Sequence, residues 1–180
     1  MTFLVPAEVE TERLLMRQWR ASDLDGYAAA YADETHAKFI GGPCSRHMAW
    51  RRMATVIGHW HLRGYGFWAV EEKASGRFVG SIGLWYPEEW PELEVGYWLA
   101  PDMVGRGYAT EAARKSRDLA YEHLGINTLI SCIDHDNHAS RAVVARLGAV
   151  YERDHELLHF GKVQIYRHPS PEALKKNTSA

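Results

Sequence analysis

Hydrophobic and polar residues alternate with a period of two along Leu93–Leu99. Val95, Tyr97 and Leu99 fall on one side and Glu94, Gly96 and Trp98 on the other, and β-branched and aromatic types dominate, so the pattern predicts a strand. Ala100-Pro101-Asp102 ends it, since proline offers no ladder donor. Gly105-Arg106-Gly107 then leads into a helix. Its inner side is predicted to carry Ala109, Ala112, Ala113, Ser116, Ala120 and Leu124, with Arg114, Lys115, Arg117 and Asp118 elsewhere.

Upstream, Glu12 to Trp19 alternates as a strand. Ser22-Asp23-Leu24-Asp25 supplies a cap oxygen and first-turn acids for a helix reaching Ala32. Phe39 to Pro43 reads as a loop. Ser45 caps a second helix with Ala49, Met53, Val56, Ile57 and Trp60 on one face. Gly64 to Gly66 breaks it, and the His59-Trp60-His61 cluster at its end reads as facing solvent. Phe67 to Glu72 and Arg77 to Tyr86 form a hairpin around Ala74-Ser75-Gly76. Thr128 to Asp134 is a short strand, and Asn137-His138-Ala139-Ser140 starts a helix that Gly148 stops. Ala149 to Asp154 and Val163 to Arg167 are the closing strands. The order β-α-α-β-β-β-α-β-α-β-β gives an α/β fold class, an α+β mixed sheet with helices on both faces.

With 180 residues, 46% hydrophobic and 12% aromatic, the chain suits one globular domain. A domain near this size buries roughly 70% of its unfolded surface. The core is expected over residues 12–168, and Ser170 to Ala180 reads as a loose polar tail. A formal net charge of −2 speaks against a nucleic-acid partner held by a basic face. No apolar run has transmembrane length, and Met1 to Glu12 lacks the basic start of a signal peptide, so no membrane association is expected. Cys44 and Cys132 are too few for a disulfide scaffold and read as reduced thiols in a cytoplasmic protein. His135, Asp136 and His138 share one short loop at a spacing that fits no closed metal site, so no metal is expected. No Ser/His/Asp set has a nucleophile-elbow motif.

A strand, a glycine turn and a helix N-terminus make an anion site. Glycines let backbone N–H groups approach a ligand, the first helical N–H groups lack internal partners, and Arg106 adds positive charge. A turn without a ligand fits this stretch equally well. No Lys-Ser or Lys-Thr stands directly after Gly107, where Tyr108-Ala109 occur instead, which excludes a P-loop, and Thr110 stands where a dinucleotide fingerprint needs its third glycine.

V-G-R-G-Y-A followed by T-E-A, Val104 to Ala112, resembles the pyrophosphate-binding motif of the GNAT superfamily of acetyl-CoA-dependent N-acetyltransferases. Val104 stands where that family carries Gln or Arg. Three further stretches look like its RimJ/RimL branch, which acetylates N-termini of ribosomal proteins: Thr11 to Arg17, Glu94 to Leu99, and Asn137-x-x-Ser140 with Leu147-Gly148. The element order resembles the GNAT fold over Glu12 to His168.

The resemblance implies acetyl-CoA as cosubstrate, bound by Val104, Gly105, Arg106, Gly107, Tyr108, Ala109 and Thr110, by the backbone of Tyr97, Trp98 and Leu99, and by Asn137 and Ser140. Glu94 is the candidate base, with a carboxyl near the ordinary value of about 4.3. A carboxylate on a strand with no catalytic role is the alternative. Ser140 is the candidate contact for the thiol, because Val144 occupies the position of the family's frequent Tyr; a capping hydroxyl is its alternative. Trp85, Glu88, Glu89 and Trp90 combine flat apolar surface with negative charge, which suits a cationic amine. With Phe39, in the loop that borders the family's acceptor groove, Trp85, Glu88 and Trp90 are the candidate substrate contacts. The expected activity is transfer of acetyl to a primary amine by direct attack. The acceptor is a protein N-terminus, a small amine, or an antibiotic or polyamine amino group. A non-catalytic acyl-CoA sensor and a structural domain without cofactor are the competing readings. Oligomeric state is left open, a homodimer included.

Overall fold

Each long apolar alternation becomes a strand, and each capped 3.6-residue repeat becomes a helix. A computed structural model describes residues 3–178. The chain runs β1 (Val9–Glu10), β2 (Leu14–Arg17), α1 (Leu24–Ala32), α2 (Glu34–Ala37), α3 (Arg46–Arg63), β3 (Phe67–Glu72), β4 (Arg77–Trp85), β5 (Glu94–Leu99), α4 (Tyr108–Leu124), β6 (Ile130–Asp134), α5 (His138–Arg146), β7 (Val150–Leu157), β8 (Gly161–Arg167) and α6 (Pro171–Thr178). The strands form one mixed sheet in the order β1-β2-β3-β4-β5-β6-β8-β7.

Helices cover both faces. Tyr27, Tyr31, Ala49 and Met53 of α1 and α3 pack with Trp19, Phe78 and Trp98 on one face. On the other, Ala109, Ala112, Ala113, Leu119 and Ala120 of α4 pack against Val70, Val79, Leu84 and Val95. The alanine stripe lets α4 lie close to the sheet. Each fully buried aliphatic side chain contributes about 1.5–3 kcal/mol of transfer free energy.

Three expectations are corrected, and two short elements are added. His59 and Trp60 do not face solvent: they are 5% and 0% exposed. Neutral His59 is satisfied on both nitrogens, Nδ1 lying 2.9 Å from Tyr65 O and Nε2 accepting the Tyr86 N–H at 3.1 Å. Arg117 is buried as well, its guanidinium donating to Leu147 O at 2.9 Å while its stem packs in the core. In place of a loose tail there is α6. Pro171 opens it, the Ala173 N–H bonds Ser170 Oγ at 3.2 Å, and Lys175 and Lys176 lie in its last turn, where the dipole favours cations. The last two residues of the expected tail lie outside the described residues. Finally, the short β1 and the one-turn α2 have too little hydrophobic period to be read from sequence.

The feature that positions the site is an interruption in the sheet. β5 and β6 are parallel neighbours, yet they share a single register pair, Glu94 with Ile130. The Ile130 N–H donates to Leu93 O at 3.1 Å. One step on, side chains replace the ladder. Ser131 Oγ donates to Val95 O at 2.7 Å, and the Cys132 N–H donates to Glu94 Oε1 at 3.0 Å. Beyond this point the strands separate. Successive strand residues aim their N–H and C=O groups to opposite edges. Leu93 and Val95 face β6, so Tyr97 and Leu99 present their N–H groups to the opening.

His168 braces the interruption from behind. It is 2% exposed, with Nε2 3.0 Å from Ser131 Oγ. The serine proton is used on Val95 O, so the imidazole donates to the serine. Burial, followed by nearby Arg117 and Arg167, lowers the His168 pKa to about 4. The unfolded value is about 6.5, so this group's contribution to stability is complete above that pH and is lost as pH falls towards 4. Between pH 7 and 4.5 the loss should be about 2.5 kcal/mol. Urea unfolding at both pH values should show His168→Gln losing that much less than wild type; an identical pH dependence would refute the assignment.

Candidate active site

The cleft opens where β5 and β6 part. Its volume is about 1680 Å³. A pocket for one small ligand is typically about 300–1,000 Å³, so the space suits two substrates.

One flank is the turn into α4. Gly105 and Gly107 have φ of +79° and +82°, a region costly for any residue with a Cβ. This twist turns the chain so that Gly107 caps α4. The first helical bond runs from the Glu111 N–H to Gly107 O at 3.1 Å, so the N–H groups of Tyr108, Ala109 and Thr110 have no partner inside the helix. Val104, Gly105, Arg106, Gly107, Ala109 and Thr110 line the cleft. Tyr108 contributes backbone only: its ring is 5% exposed and its hydroxyl donates to Glu72. An anion fits this cradle by shape and by charge.

Arg13 holds the cradle in place. It donates through Nη1 to Arg106 O at 2.9 Å and through Nε to Glu111 Oε2 at 2.7 Å, while Thr11 Oγ1 donates to Glu111 Oε1 at 2.6 Å. In the sequence, Thr11 to Arg17 stands out as a strand pattern and by family likeness, not as a brace for the cradle. A contact spanning 98 residues leaves no periodic trace that would reveal this brace.

At the apex lies Glu94. It is 7% exposed, far more buried than a surface strand carboxylate. Oε2 accepts the Trp90 indole N–H at 2.8 Å, and Oε1 accepts the Cys132 N–H. Burial raises its pKa to about 7, against the opposing pull of these donors. The expected ordinary carboxylate value is thereby corrected, and the cause is desolvation at the strand interruption. Cys132, beside it, has its thiol pushed up by burial and then by the Glu94 charge.

Tyr97, Trp98 and Leu99 line the cleft, as do Asn137 and Ser140 at the start of α5. Asn137 Oδ1 accepts the Ser140 N–H at 3.0 Å, so the asparagine is a helix cap. The Tyr97 hydroxyl donates to Ser140 O at 3.0 Å, joining β5 to α5 across the opening. Val144 is fully buried beneath Tyr97. Phe39, Trp85 and Trp90 line the other flank, joined by Phe67 and Phe160, which carry no local sequence signal for a site. Glu88 is not part of that lining: its side chain is 92% exposed and lies 3.6 Å from Arg63. Glu89, with φ of +63°, does not line the cleft either. Among the described residues, no group of three or more His, Cys, Asp and Glu side chains converges to hold a metal ion. No helix among them is long and apolar enough to cross a membrane.

This combination of a mixed sheet that splits at one strand pair and a glycine cradle on the following helix agrees with comparison to known proteins. The family described as the acetyltransferase (GNAT) domain matches residues 13–150. The crystal structure of an acetyltransferase from Agrobacterium tumefaciens superposes with a TM-score of 0.82 at 30% identity, covering 93% of this chain and 96% of that one. The Bacillus subtilis protein YkkB is 33% identical over 103 residues, 53% of this chain and 59% of that protein. Mycobacterium smegmatis RimJ in complex with CoA-disulfide has the same fold, with a TM-score of 0.76 at 20% identity over 97% of this chain and 92% of that one. The chain belongs to the GNAT acetyltransferase family.

The cradle is open to a direct test. Acetyl-CoA at 100 times its dissociation constant should stabilise the wild type by about 2.7 kcal/mol. Gly107→Val places a β-branched residue at φ +82° with its Cβ 3.4 Å from Arg13 Nη2. The variant should fold but show little or none of that stabilisation in a thermal melt. A full shift in Gly107→Val would place the phosphates elsewhere.

Proposed function

We propose that this chain is a cytoplasmic N-acetyltransferase that moves an acetyl group from acetyl-CoA to a primary amine by direct attack. The observation that carries this reading is the β5–β6 opening, with an anion cradle on one flank and a buried carboxylate at its apex. Acetyl-CoA supplies the activated acetyl group, with its pyrophosphate on the backbone N–H groups after Gly107 and its pantetheine arm along Asn137. The Tyr97 and Leu99 N–H groups, held by the sheet before substrate arrives, receive the charge that develops on the carbonyl oxygen. The amine nitrogen bonds the acetyl carbon, the carbon–sulfur bond breaks, and CoA leaves as thiolate beside the Ser140 hydroxyl. The amine's proton passes through one water to Glu94.

Glu94 suits that task because its pKa of about 7 matches neutral working conditions. A carboxyl at its ordinary value would be a much weaker base. An N-terminal α-amine, with pKa about 7.7–8.0, is roughly 10–15% neutral at pH 7, so it asks little of such a base. The Tyr97–Ser140 bond fixes the start of α5, which places the serine hydroxyl relative to β5.

Free-thiol release measured across pH 6–9 with one shared acceptor tests the assignment. Wild-type kcat/KM should rise through a limb near pH 7 as Glu94 loses its proton. Glu94→Gln should lack that limb, be about 100-fold slower at pH 7, and recover in part at higher pH, where more acceptor is neutral. The acetyl-CoA melting shift should be retained, showing that the cradle is intact. Equal rates for both proteins across the range would exclude Glu94 as the base.

A further inference from the structure

Both oxygens of Glu94 are held by groups that lie outside its own strand. Oε1 accepts the Cys132 N–H of β6 at 3.0 Å, and Oε2 accepts the Trp90 indole N–H at 2.8 Å. Trp90 sits in the loop between β4 and β5. Its ring nevertheless packs with Ile130, Leu157, Val163 and Ile165, the apolar cluster that β6, β7 and β8 share. Phe160 meets it edge-on at 5.8 Å.

Two residues further on, the same loop is fastened to that half of the sheet again. Arg167 of β8 donates through Nη2 to Glu92 Oε1 at 2.8 Å and to Glu152 Oε1 of β7 at 2.9 Å. Its Nε donates to Glu152 Oε2 at 2.6 Å, and its Nη1 to Thr128 Oγ1 at 2.8 Å. Arg153 lies 3.3 Å from Glu92. Hydrogen bonds from Arg167 are the first cause that holds both carboxyls below their ordinary range. Partly exposed ion pairs add little stability. A planar fork that pairs two carboxylates does fix direction. Pro91, between Glu92 and Trp90, has a locked φ, so a fixed Glu92 limits where the indole can lie.

We propose that Trp90 is a positioning residue for Glu94, and that the Arg167 bridge to Glu92 and Glu152 is the latch that holds it there. This assignment rests on Glu94 as the base and deepens that reading. The indole N–H stabilises the charged carboxylate and not the acid, so it sets how much base is present near neutrality. Without it, burial is less opposed and the proton is held more tightly. The other titratable groups against the carboxylate are the Cys132 thiol and the Tyr97 hydroxyl, which burial and then the Glu94 charge keep protonated. Asp33, His36, Lys38, Arg52, Asp134 and His159 line the wider cleft. All of these stay in place in the variants that test the latch.

Trp90→Phe keeps a ring among the apolar neighbours and deletes the N–H. The midpoint of the kcat/KM limb should rise by about one pH unit, which lowers the rate at pH 7 about five-fold, with the KM for acetyl-CoA unchanged. The two profiles should converge at about pH 9. Arg167→Lys keeps the charge but cannot pair two carboxylates through a planar fork, and should move the midpoint the same way by about half as much. Adding it to Trp90→Phe should change nothing further, because the latch acts through the indole. Carboxyl-carbon NMR of glutamate-labelled protein, with the Glu94 signal identified by its loss in Glu94→Gln, reads the same midpoint without turnover. A retained acetyl-CoA melting shift shows that each variant is folded. An unmoved Glu94 titration in either single variant would overturn the inference, as would shifts that add in the double variant. A Glu94 titration that moves as stated while the rate limb stays in place would support the positioning role and remove Glu94 as the base.

Discussion

The interrupted pairing of β5 with β6 is the constraint from which the cleft follows. A parallel ladder would have carried the Cys132 N–H to the main chain of β5; here Glu94 Oε1 takes it, and Ser131 Oγ takes the Val95 carbonyl. Both buried backbone groups remain satisfied, so the strands separate without leaving an orphan. The same exchange frees the Tyr97 and Leu99 amides and draws a carboxylate into the interior. Its raised pKa is a consequence of that position.

Around the opening, two flanks divide the chemistry by residue type. The α4 flank works with backbone. Its glycines accept left-handed conformations, and Arg13 and Glu111 fix the turn from a strand far away in sequence. Such a surface favours anions and is indifferent to what else the ligand carries. The other flank works with rings supported by the sheet through Phe67 and Trp85, and with a carboxylate whose two oxygens are already held. Between them, the Tyr97–Ser140 bond ties β5 to α5 across the opening.

Much of this was legible in the sequence. The strand at Leu93–Leu99 and the caps at Ser45 and Asn137 follow local rules that act over a few residues. Glycine at Gly105 and Gly107 likewise signals the sharp turn into α4, because the demand for positive φ is local. Of the candidate residues in these stretches, Gly105, Arg106, Gly107, Ala109, Thr110 and Glu94 line the cleft. Glu88 is a candidate by charge and neighbourhood alone, and the loop that carries it turns it outwards towards Arg63.

The long strands and helices, the glycine turn before α4 and the family likeness can be read from the sequence alone, whereas β1, α2 and α6 cannot. Each of the former is written in spacing of 2, 3.6 or a few residues, the range over which a chain's own sterics and hydrogen bonding act. Tertiary structure alone decided that β5 and β6 pair once and then part, that His59, Arg117 and His168 are buried, and that Glu94 titrates near neutrality. It also decided that Phe67 and Phe160, 93 positions apart by number, bound one aromatic flank. Desolvation and long-range pairing depend on which surfaces meet, and that is fixed only when the sheet closes around its own core.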